Sequence, residues 1–374
     1  MRIYIIAGEK SGDQHAAALL AELKKHLPGL TVRAVGGPAL QATGAEIGIS
    51  YEEINFMGVY EVIKNISTIR RKIKEIKQDI AAFKPDATIH VDASSLNLRL
   101  AAFVKTKQIP TLYYIAPKVW AWNTDRVYKI KPLFDKLFVI LPFEKTFYER
   151  YGLKVTYAGN PTYEAVSRYK QENKPSAQPP YVALLAGSRK QEVSGILPTL
   201  VNLAQSLPET NFKLAAVSNL APEVYAQAAK APNITVVFDQ AYNILANAEA
   251  AVVVSGTATL ETALFKVPQV VIYKTSAFTA FVVGQVIKVP YISLVNLIAN
   301  RAVVPELIQD DCTPDRIRQE LVRIMHGGTG RAEMLSAYNE IAASMGNPHA
   351  SQTAAQEIAT FLLQRCSAAN SSSK

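Results

Sequence analysis

Residues 250–261, AAVVVSGTATLE, decide the fold of the sequence around them. The first five residues are small or β-branched and apolar, which is typical of a strand buried on both faces of a parallel sheet. Ser255, Gly256 and Thr257 break this run, and a helical pattern begins at once. A strand, a tight turn and a helix N-terminus favour anion binding, because free backbone N–H groups and the positive end of the helix dipole lie at the carboxyl edge of the sheet.

Glu261 lies four residues after Thr257, on the same face of the predicted helix. A carboxylate there repels phosphate but accepts hydrogen bonds from ribose hydroxyl groups. Phosphate at the turn and ribose one helical turn further on is the arrangement expected for a nucleotide sugar. A well-capped helix with Glu261 in a surface ion pair would produce the same pattern, so this stretch alone leaves both interpretations open.

The composition limits the classes of protein to which the chain can belong. Its 374 residues are enough for two domains with full cores, and 49% of them are hydrophobic, which indicates a globular protein. A net charge of +9 indicates partners that carry phosphate or an anionic membrane surface. Cys312 and Cys366 lie far apart without the spacing of a metal site, which is typical of a reducing cytosol.

No stretch of the sequence predicts export or a membrane span. Residues 2–7 have the pattern of a first strand and lack the cleavage site of a secretion signal. The longest uncharged apolar stretch, residues 275–287, is shorter than the ~20 residues that a spanning helix needs. We therefore expect a protein of the cytoplasm.

Strand-like runs alternate with helical ones, which predicts an α/β protein with doubly wound sheets. The predicted strands are residues 3–7, 31–35, 87–91, 111–115, 137–140, 155–158, 181–186, 212–217, 234–237, 250–254 and 270–273. The alternation stops at residues 169–180, a polar stretch with three prolines that we interpret as a linker. The sequence thus predicts two Rossmann-like domains, residues 1–168 and 181–345, that face a central cleft. A C-terminal helix over residues 346–366 can cross back to the first domain, and residues 367–374 form a flexible tail.

A polar segment with two carboxylates, GEKSGD over residues 8–13, follows the first predicted strand. It has neither the G-x-G-x-x-G nor the Gly-Lys-Ser/Thr pattern of a phosphate loop. Glu9 and Asp13 would repel phosphate, so the segment is better suited to a sugar or another hydroxylated ligand. A helix cap at Ser11 or Asp13 explains the same residues equally well.

Asp92 lies just beyond the carboxyl end of the predicted strand over residues 87–91. In open α/β sheets that edge faces the ligand crevice, and a carboxylate there could deprotonate a hydroxyl group. A cap for the next helix would place a carboxylate at the same position. His90 lies inside the strand, and we expect it to be a hydrogen-bonded residue of the core.

Residues 57–83 form one basic amphipathic stretch. From Ile73 onward its apolar stripe predicts a helix docked on the sheet with a solvated basic face. The start of the stretch has too many apolar residues for one buried face, so we expect some of them to form an exposed membrane-interface segment or acyl-chain site. These residues are Met57, Val59, Tyr60, Val62 and Ile63.

Aromatic and basic residues follow two further predicted strands. Trp120 and Trp122, followed by basic residues, could stack on a sugar or bind nucleic acid. No nucleic-acid motif accompanies them, so we discount that use and predict no nucleic-acid partner. Arg189 follows the first strand of the second half and can bind a diphosphate with both of its terminal nitrogens. We prefer this role to a plain surface charge, because residues 255–261 offer the matching half of a nucleotide site.

Together these segments resemble the lipid-A-disaccharide synthase family of GT-B glycosyltransferases. The matching stretches keep their order and cover nearly the whole chain. They are AGEKSGD (7–13), MGVYEV (57–62), VDA (91–93), VWAW (119–122), LPFEK (141–145), GSR (187–189), SGTATLE (255–261) and SLVNLI (293–298).

The resemblance implies an inverting transfer of 2,3-diacylglucosamine from its UDP derivative to 2,3-diacylglucosamine 1-phosphate. The products would be the β-1,6-linked lipid A disaccharide 1-phosphate and UDP. It also implies a Gram-negative enzyme on the cytoplasmic side, bound peripherally to the anionic surface of the inner membrane. The sequence has no D-x-D-like metal motif, and GT-B enzymes generally work without a catalytic metal ion, so neither metal nor cofactor is predicted.

The resemblance also implies roles for individual residues. Asp92 is the expected base for the acceptor hydroxyl, and Glu9 is its neighbour for substrate positioning. The UDP-binding residues are expected to be Arg189, Ser255, Gly256 and Thr257 at the diphosphate, Glu261 at the ribose, and Asn296 at the cleft edge. The acceptor or lipid contacts are expected to include Ser11, Trp120 and Trp122 together with the apolar residues between positions 57 and 63.

The sequence departs from the family pattern at two places. Asn160 stands where the family often has a histidine between glycine and proline, so no acid–base role is assigned to it. Ser94 and Ser95 follow Asp92 where a second acidic residue is expected, which leaves Asp92 as the carboxylate of that segment. The alternatives are another GT-B enzyme of UDP-sugars, such as a different glycosyltransferase or a UDP-sugar 2-epimerase, and a non-catalytic binder of nucleotide or lipid at a membrane surface.

Overall fold

The computed structural model describes residues 1–54, 66–174, 176, 178–275 and 289–372 of the chain. The chain forms two compact units, the first from residues 1–161 with 349–374 and the second from residues 162–348. The apolar residues predicted to contact lipid or membrane, Met57, Val59, Tyr60, Val62 and Ile63, lie outside the described residues.

Strands and helices alternate along the first unit. Its strands are β1 (Arg2–Ala7), β2 (Thr31–Gly36), β3 (Glu46–Ser50), β4 (Ala87–Val91), β5 (Thr111–Tyr114), β6 (Lys136–Val139) and β7 (Thr156–Tyr157). Helices in the described part of residues 1–160 are α1 (Lys10–His26), α2 (Pro38–Ala42), α3 (Ile66–Phe83), α4 (Ser94–Thr106), α5 (Arg126–Ile130) and α6 (Pro142–Arg150). The strands form one parallel sheet in the order β3-β2-β1-β4-β5-β6-β7.

Helices cover both faces of this sheet, as the side chains of β1 illustrate. Successive residues of a strand point to opposite faces. Ile3, Ile5 and Ala7 pack in the core that includes α1, whereas Tyr4 and Ile6 pack in the core that includes α3 and α4. A fully buried isoleucine side chain contributes about 1.5–3 kcal/mol, so an unbroken apolar strand is stable only between two helical layers. The predicted docking of α3 from Ile73 onward is confirmed, because Ile76, Ile80 and Phe83 are buried there.

The second unit repeats this architecture from the first turn of α7 (Pro161–Glu172) onward. Its strands are β8 (Val182–Leu185), β9 (Phe212–Ala216), β10 (Ile234–Phe238), β11 (Ala250–Val254), β12 (Gln269–Tyr273) and β13 (Glu306–Ile308). The further helices in its described part are α8 (Lys190–Gln205), α9 (Ala226–Ala229), α10 (Ala241–Asn247), α11 (Thr257–Leu264), α12 (Leu294–Ala299), α13 (Pro314–Ile324) and α14 (Arg331–Ser344). The strands form one parallel sheet in the order β10-β9-β8-β11-β12-β13.

Helix α7 occupies the start of the predicted linker, since it continues to Glu172. The reason is an aromatic cluster in the second unit. The Tyr169 ring packs edge-on against the rings of Tyr242 and Phe265, with centroid distances of 5.4 Å and 5.7 Å. The packing of Tyr169 thus extends the helix into a stretch whose polar composition did not indicate one.

The last helix, α15 (Ala350–Ser372), belongs to the first unit. Ala354, Ala355 and Ile358 are buried in the core that α1 shares with the sheet. The helix continues through Ser372, so residues 367–372 of the predicted flexible tail are helical. No helix within the described ranges is long and apolar enough to span a bilayer.

Candidate active site

The strand order of the first sheet reverses between β1 and β4. In open parallel sheets such a switch point opens a ligand crevice at the carboxyl ends of the strands. Ala7 pairs with Val91, so the loops that follow the two strands lie side by side. Gly8 allows this approach, because a Cβ there would lie 2.9 Å from the Cβ of Ala93 and 3.1 Å from the Cδ2 of Leu96. Glu9 and Asp92 therefore belong to adjacent loops at one switch point.

Asp92 is half-buried at this edge. No donor in the part of the chain that the structure describes bonds to its carboxylate oxygens, which leaves them available to the hydroxyl group of a ligand. Asp92 does not cap the next helix, because Ala93 is the N-cap residue of α4 and the cap has no side-chain hydrogen bond. The alternative interpretation of Asp92 as a helix cap is therefore wrong.

Two ionisable side chains near Asp92 are uncharged at neutral pH. Burial lowers the pKa of His15, an effect that the carboxylate of Asp92 opposes and the ammonium group of Lys118 reinforces. Burial also raises the pKa of Tyr113 well above its usual value, and the carboxylates of Asp92 and Glu9 raise it further. Both side chains interact electrostatically with the Asp92 carboxylate but carry no charge themselves.

Asp13 supports the loop after β2 and is 2% exposed. Its carboxylate accepts hydrogen bonds from the backbone N–H groups of Gly37 at 2.7 Å, Ala39 at 2.9 Å and Leu40 at 3.3 Å. These donors lie at the start of α2, whose first N–H groups have no partner within the helix. Helix α1 has Glu9 as its N-cap residue without a side-chain cap bond, so neither Ser11 nor Asp13 caps it. Ser11 remains exposed on its first turn.

The two tryptophans have different environments. The Trp120 indole donates from Nε1 to Oε1 of Glu144 at 2.8 Å, and Glu144 is completely buried. Burial raises the pKa of the Glu144 carboxyl group although Trp120 donates to it. Trp122 is 39% exposed, with the Arg126 guanidinium 4.2 Å from its ring centroid. Trp120 is therefore held from inside the unit, whereas Trp122 presents an aromatic ring and a cation at the surface.

Asn160 is 1% exposed and donates to the carbonyl oxygen of Ile140 at 3.1 Å. Gly159, directly before it, has a φ of 91°, a left-handed value that favours glycine. This buried bond is consistent with a structural role for Asn160.

The second sheet has its own switch point, between β8 and β11. Leu185 pairs with Val253, so the loops that carry Arg189 and residues 255–257 are neighbours. Gly256 and Thr257 are exposed at the start of α11, where the first N–H groups of a helix point outward. A Cβ on Gly256 would have no atom of the described residues within 4 Å. Open space beside free N–H groups is what an incoming phosphate requires.

Arg189 is the N-cap residue of α8, and its side chain is 61% exposed. Its described contact is an ion pair between its Nη1 and Oε1 of Glu192 at 3.2 Å. An exposed pair of this kind contributes only about 0.2–1 kcal/mol, so the guanidinium can leave it for a phosphate at little cost.

Ser255 and Asn296 support this site through bonds within the unit. The Ser255 hydroxyl donates to the carbonyl of Ile292 at 2.8 Å, and its backbone N–H donates to Ile272 at 3.0 Å. Asn296 is 1% exposed. Its amide nitrogen donates to Val304 and Glu306, each at 2.9 Å, and its amide oxygen accepts from Val303 at 2.7 Å and Val304 at 2.9 Å.

These bonds change the roles expected for both residues. The Asn296 amide has no donor or acceptor left for a ligand, and neither the hydroxyl nor the N–H of Ser255 remains free to donate. We therefore replace their predicted UDP contacts by a positioning role. Glu306 completes the network, because its carboxylate accepts from the N–H groups of Ile292 and Ser293, both at 2.9 Å.

Glu261 is half-buried and accepts a hydrogen bond on Oε1 from the Tyr242 hydroxyl at 2.9 Å. This arrangement excludes the alternative of a surface ion pair. Burial raises the pKa of the Glu261 carboxyl group, and the bond from Tyr242 partly opposes that rise. Glu261 follows Thr257 by four residues on α11, so the two residues lie on the same side of the helix, one turn apart.

Nearly the whole chain matches one known family. A sequence profile described as lipid-A-disaccharide synthetase matches residues 3–360. The chain belongs to the lipid-A-disaccharide synthase family. The lipid-A-disaccharide synthase of Myxococcus xanthus is 38% identical over 373 residues, which cover 96% of this chain and 97% of that protein. Lipid-A-disaccharide synthase 1 of Legionella pneumophila is 39% identical over 324 residues, which cover 83% of this chain and 84% of that protein.

Solved structures of other enzymes share the fold of this family member. The UDP-GlcNAc 2-epimerase of Neisseria meningitidis, bound to UDP-GlcNAc, has a TM-score of 0.63 and 14% identity, covering 97% of this chain and all of that one. A glycosyltransferase of kitacinnamycin has a TM-score of 0.64 and 15% identity, covering 96% of this chain and 98% of that one. The predicted GT-B fold class, with two parallel α/β units, is confirmed. As a member of this family the protein is a glycosyltransferase.

Several residues of the site escaped sequence reasoning. Tyr113, Tyr242 and Glu306 lie in unremarkable stretches, and contacts made only in the fold bring them to Asp92, Glu261 and Asn296. His15 carried a weak signal, since it follows Glu9 by less than two helical turns. Among the residues that the structure describes, no three His, Cys, Asp or Glu side chains come together as metal ligands would.

Proposed function

We propose that this glycosyltransferase joins UDP-2,3-diacylglucosamine to 2,3-diacylglucosamine 1-phosphate and releases UDP. The 6-hydroxyl oxygen of the acceptor attacks the anomeric carbon of the donor, while the bond from that carbon to the diphosphate breaks. The attack comes from the face opposite the leaving group, so the configuration inverts and a β-1,6 linkage forms. This proposal rests on the position of the predicted groups. Asp92 and Glu9 lie at the switch point of the first sheet, and Arg189 and residues 255–257 lie at that of the second sheet.

In the first unit, Asp92 would accept the proton of the acceptor hydroxyl. Its carboxylate oxygens have no donor among the described residues and stand at the edge where ligands of such sheets bind. Glu9, on the adjacent loop, would help to position the hydroxylated substrate. A second carboxylate next to the base also favours neutral, hydroxyl-bearing ligands over phosphate at this point.

In the second unit, charge develops on the UDP diphosphate as the bond breaks. The N–H groups of Gly256 and Thr257 and the guanidinium of Arg189 would stabilise it, as fixed donors do in other transfer reactions. Glu261 would accept from ribose hydroxyl groups. Ser255 and Asn296 would hold the turn and the loop over residues 292–306 without touching the ligand.

The direct test mixes the purified protein, in detergent, with both lipids and measures UDP release. Release that requires the donor and the acceptor together supports the proposed reaction. UDP binding without release, whichever lipid set is supplied, would contradict the proposed substrates and favour another UDP-sugar. UDP release from the donor in the absence of the acceptor would indicate hydrolysis by water and not transfer to the acceptor.

The pH dependence of UDP binding tests the assignment of Glu261. Only the ionised carboxylate can accept hydrogen bonds from two ribose hydroxyl groups. The affinity for UDP therefore falls as the pH falls through the pKa of Glu261. Because burial raises that pKa, the loss begins at a higher pH than for an ordinary glutamate. Tyr242→Phe removes a bond that stabilises the ionised form, so we expect the midpoint of the loss to move to still higher pH.

Isothermal calorimetry with UDP between pH 4 and 8 measures this shift. Tyr169→Phe is the matched control, because its ring packs in the same cluster, 5.4 Å from the Tyr242 ring. A Tyr242→Phe midpoint equal to that of the wild type would mean that Glu261 does not bind the ribose.

The proposed substrates are lipids, so the enzyme must reach a membrane surface. The net charge of +9, the exposed Trp122 beside Arg126, and Tyr128 with 63% exposure support an attraction to anionic lipid. We expect the double variant Trp122→Ser with Tyr128→Ser to bind phosphatidylglycerol vesicles about tenfold more weakly in a sedimentation assay. Leu363→Ser, at a site with 49% exposure on α15, serves as the control. Unchanged binding of the double variant would exclude this surface as a membrane contact.

A further inference from the structure

The backbone is strained where Asp92 stands. Asp92 and Ala93 have left-handed φ angles of 47° and 41°, and Ile115, at the end of the neighbouring strand β5, has a φ of 65°. Residues with a side chain rarely adopt this conformation, because the Cβ approaches a carbonyl oxygen, and a β-branched residue does so least of all. Such strain persists only where surrounding groups hold it, and it is concentrated at functional sites.

Two side chains hold the carbonyl oxygen of Asp92. Asn97, on α4, donates to it from Nδ2 at 2.6 Å. Tyr113, on β5, donates to it from its hydroxyl group, also at 2.6 Å. Asn97 donates in addition to the carbonyl of Val91 at 3.1 Å. Both Asn97 and Tyr113 are completely buried, so the peptide plane after Asp92 is fixed from two sides by the interior of the unit.

His90 fixes the orientation of the Asn97 amide. Its Nδ1 lies 3.0 Å from Oδ1 of Asn97, and its Nε2 lies 3.2 Å from Oγ1 of Thr88. Burial lowers the pKa of His90 to about 4, so the ring is neutral. A neutral ring with its proton on Nδ1 donates to Asn97 and accepts from Thr88. The amide nitrogen of Asn97 is then directed at the carbonyl groups of the Asp92 loop. The expectation of a hydrogen-bonded core histidine is confirmed, and its bonds lead to the proposed base.

We propose that Asn97 and Tyr113 are positioning residues that hold Asp92 in the orientation required for proton abstraction, with His90 fixing the Asn97 amide. This inference rests on the proposed function, in which Asp92 is the base. The carboxylate has no hydrogen bond of its own among the described residues that would fix its direction. The orientation of the carboxylate therefore depends on the backbone conformation at Asp92, and Asn97 and Tyr113 hold that conformation.

The test compares two variants that remove these donors. We expect Asn97→Ala to lower kcat by about 10–100-fold and Tyr113→Phe by about 3–10-fold, because a displacement of about 1 Å at a reacting group has effects of this size. KM for the UDP-linked donor should stay within about twofold of the wild type, since the donor's UDP groups belong to the other sheet. Tyr113→Phe keeps the ring and the packing, so it remains informative if Asn97→Ala folds poorly.

Matched controls come from the second unit. The Asn233 amide nitrogen donates to three backbone carbonyls, those of Ala204 at 2.9 Å, Leu207 at 3.1 Å and Thr210 at 3.0 Å. The buried Tyr181 donates to the carbonyl of Ile244 at 2.8 Å. Both residues precede strands and so lie at the amino edge of their sheet. Asn233→Ala and Tyr181→Phe remove the same kinds of bond, and we expect them to lower the melting temperature while kcat stays unchanged.

A double-mutant cycle separates positioning from general stability. If Asn97 acts through the Asp92 carboxylate, Asn97→Ala should lower kcat no further in an Asp92→Asn background. A further loss equal to that in the wild-type background would overturn the proposal, and so would wild-type kcat in both Asn97→Ala and Tyr113→Phe. The proposed base fails by a different result, namely wild-type kcat in Asp92→Asn alone.

Discussion

Asp92→Asn is expected to lower kcat for UDP release by about 10²–10⁴-fold, the range that a positioned general base contributes. The amide has nearly the size of the carboxylate but cannot accept the proton of the acceptor hydroxyl. The backbone bonds at Asp92 involve its carbonyl and N–H groups, so the substitution leaves them in place. KM for the donor and the affinity for UDP should change by less than about threefold, because the proposed UDP groups belong to the second sheet.

Asp86→Asn provides the control at the opposite end of β4. Asp86 precedes β4 and accepts a hydrogen bond from the backbone N–H of Arg2 at 2.7 Å, at the amino edge of the sheet. Both substitutions remove one negative charge from the ends of one strand, yet only the carboxyl end faces the proposed site. Steady-state kinetics with both lipids and calorimetry with UDP distinguish chemistry from binding. A kcat of Asp92→Asn within about threefold of the wild type would remove Asp92 from the role of base.

The sequence predicted most strands of the two sheets and missed β3 and β13. Long apolar runs such as residues 250–254 give β11 without ambiguity, because every residue of the run is buried. Strand β3 carries glycine at its centre, and β13 has only three residues, so neither forms a run that periodicity can detect. Both are terminal in their sheets, where half of the backbone pairing and much of the burial is absent.

The candidate site shows the same division between local and remote information. Asp92 and the turn at residues 255–257 could be predicted, since each follows a strand whose apolar run is evident in the sequence. Tyr242 could not, because only the fold brings it to Glu261. Asn296 illustrates a further case: the resemblance identified the residue, whereas the burial of its amide and its bonds to Val304 and Glu306 changed the expected role.

Arg189→Ala is expected to lower kcat/KM for the UDP-linked sugar by about 10²–10³-fold. Removing one hydrogen-bonding group that stabilises an anion in a transition state has an effect of about this size. Affinity for UDP should fall as well, because the diphosphate is present before and after the bond breaks. Arg189→Lys should recover only part of the loss, since an ammonium group cannot bind two phosphate oxygens with the planar geometry of a guanidinium. The residual affinity of Arg189→Ala for UDP should come from the N–H groups at the start of α11, which the substitution does not alter.

Arg323→Ala is a close control for the loss of an exposed arginine in the same unit. The Arg323 side chain is 60% exposed and pairs with Glu320 at 3.0 Å. The Arg189 side chain is 61% exposed and pairs with Glu192 at 3.2 Å. In both pairs the two residues are three positions apart in the sequence. We expect Arg323→Ala to bind UDP as the wild type does, because Arg323 is not part of the loops at the β8–β11 switch point. Calorimetry at two salt concentrations adds a second criterion, since loss of a phosphate contact should weaken the salt dependence of UDP binding. If Arg189→Ala and Arg323→Ala have the same affinity and salt dependence, Arg189 is a plain surface charge and the diphosphate contact must lie elsewhere.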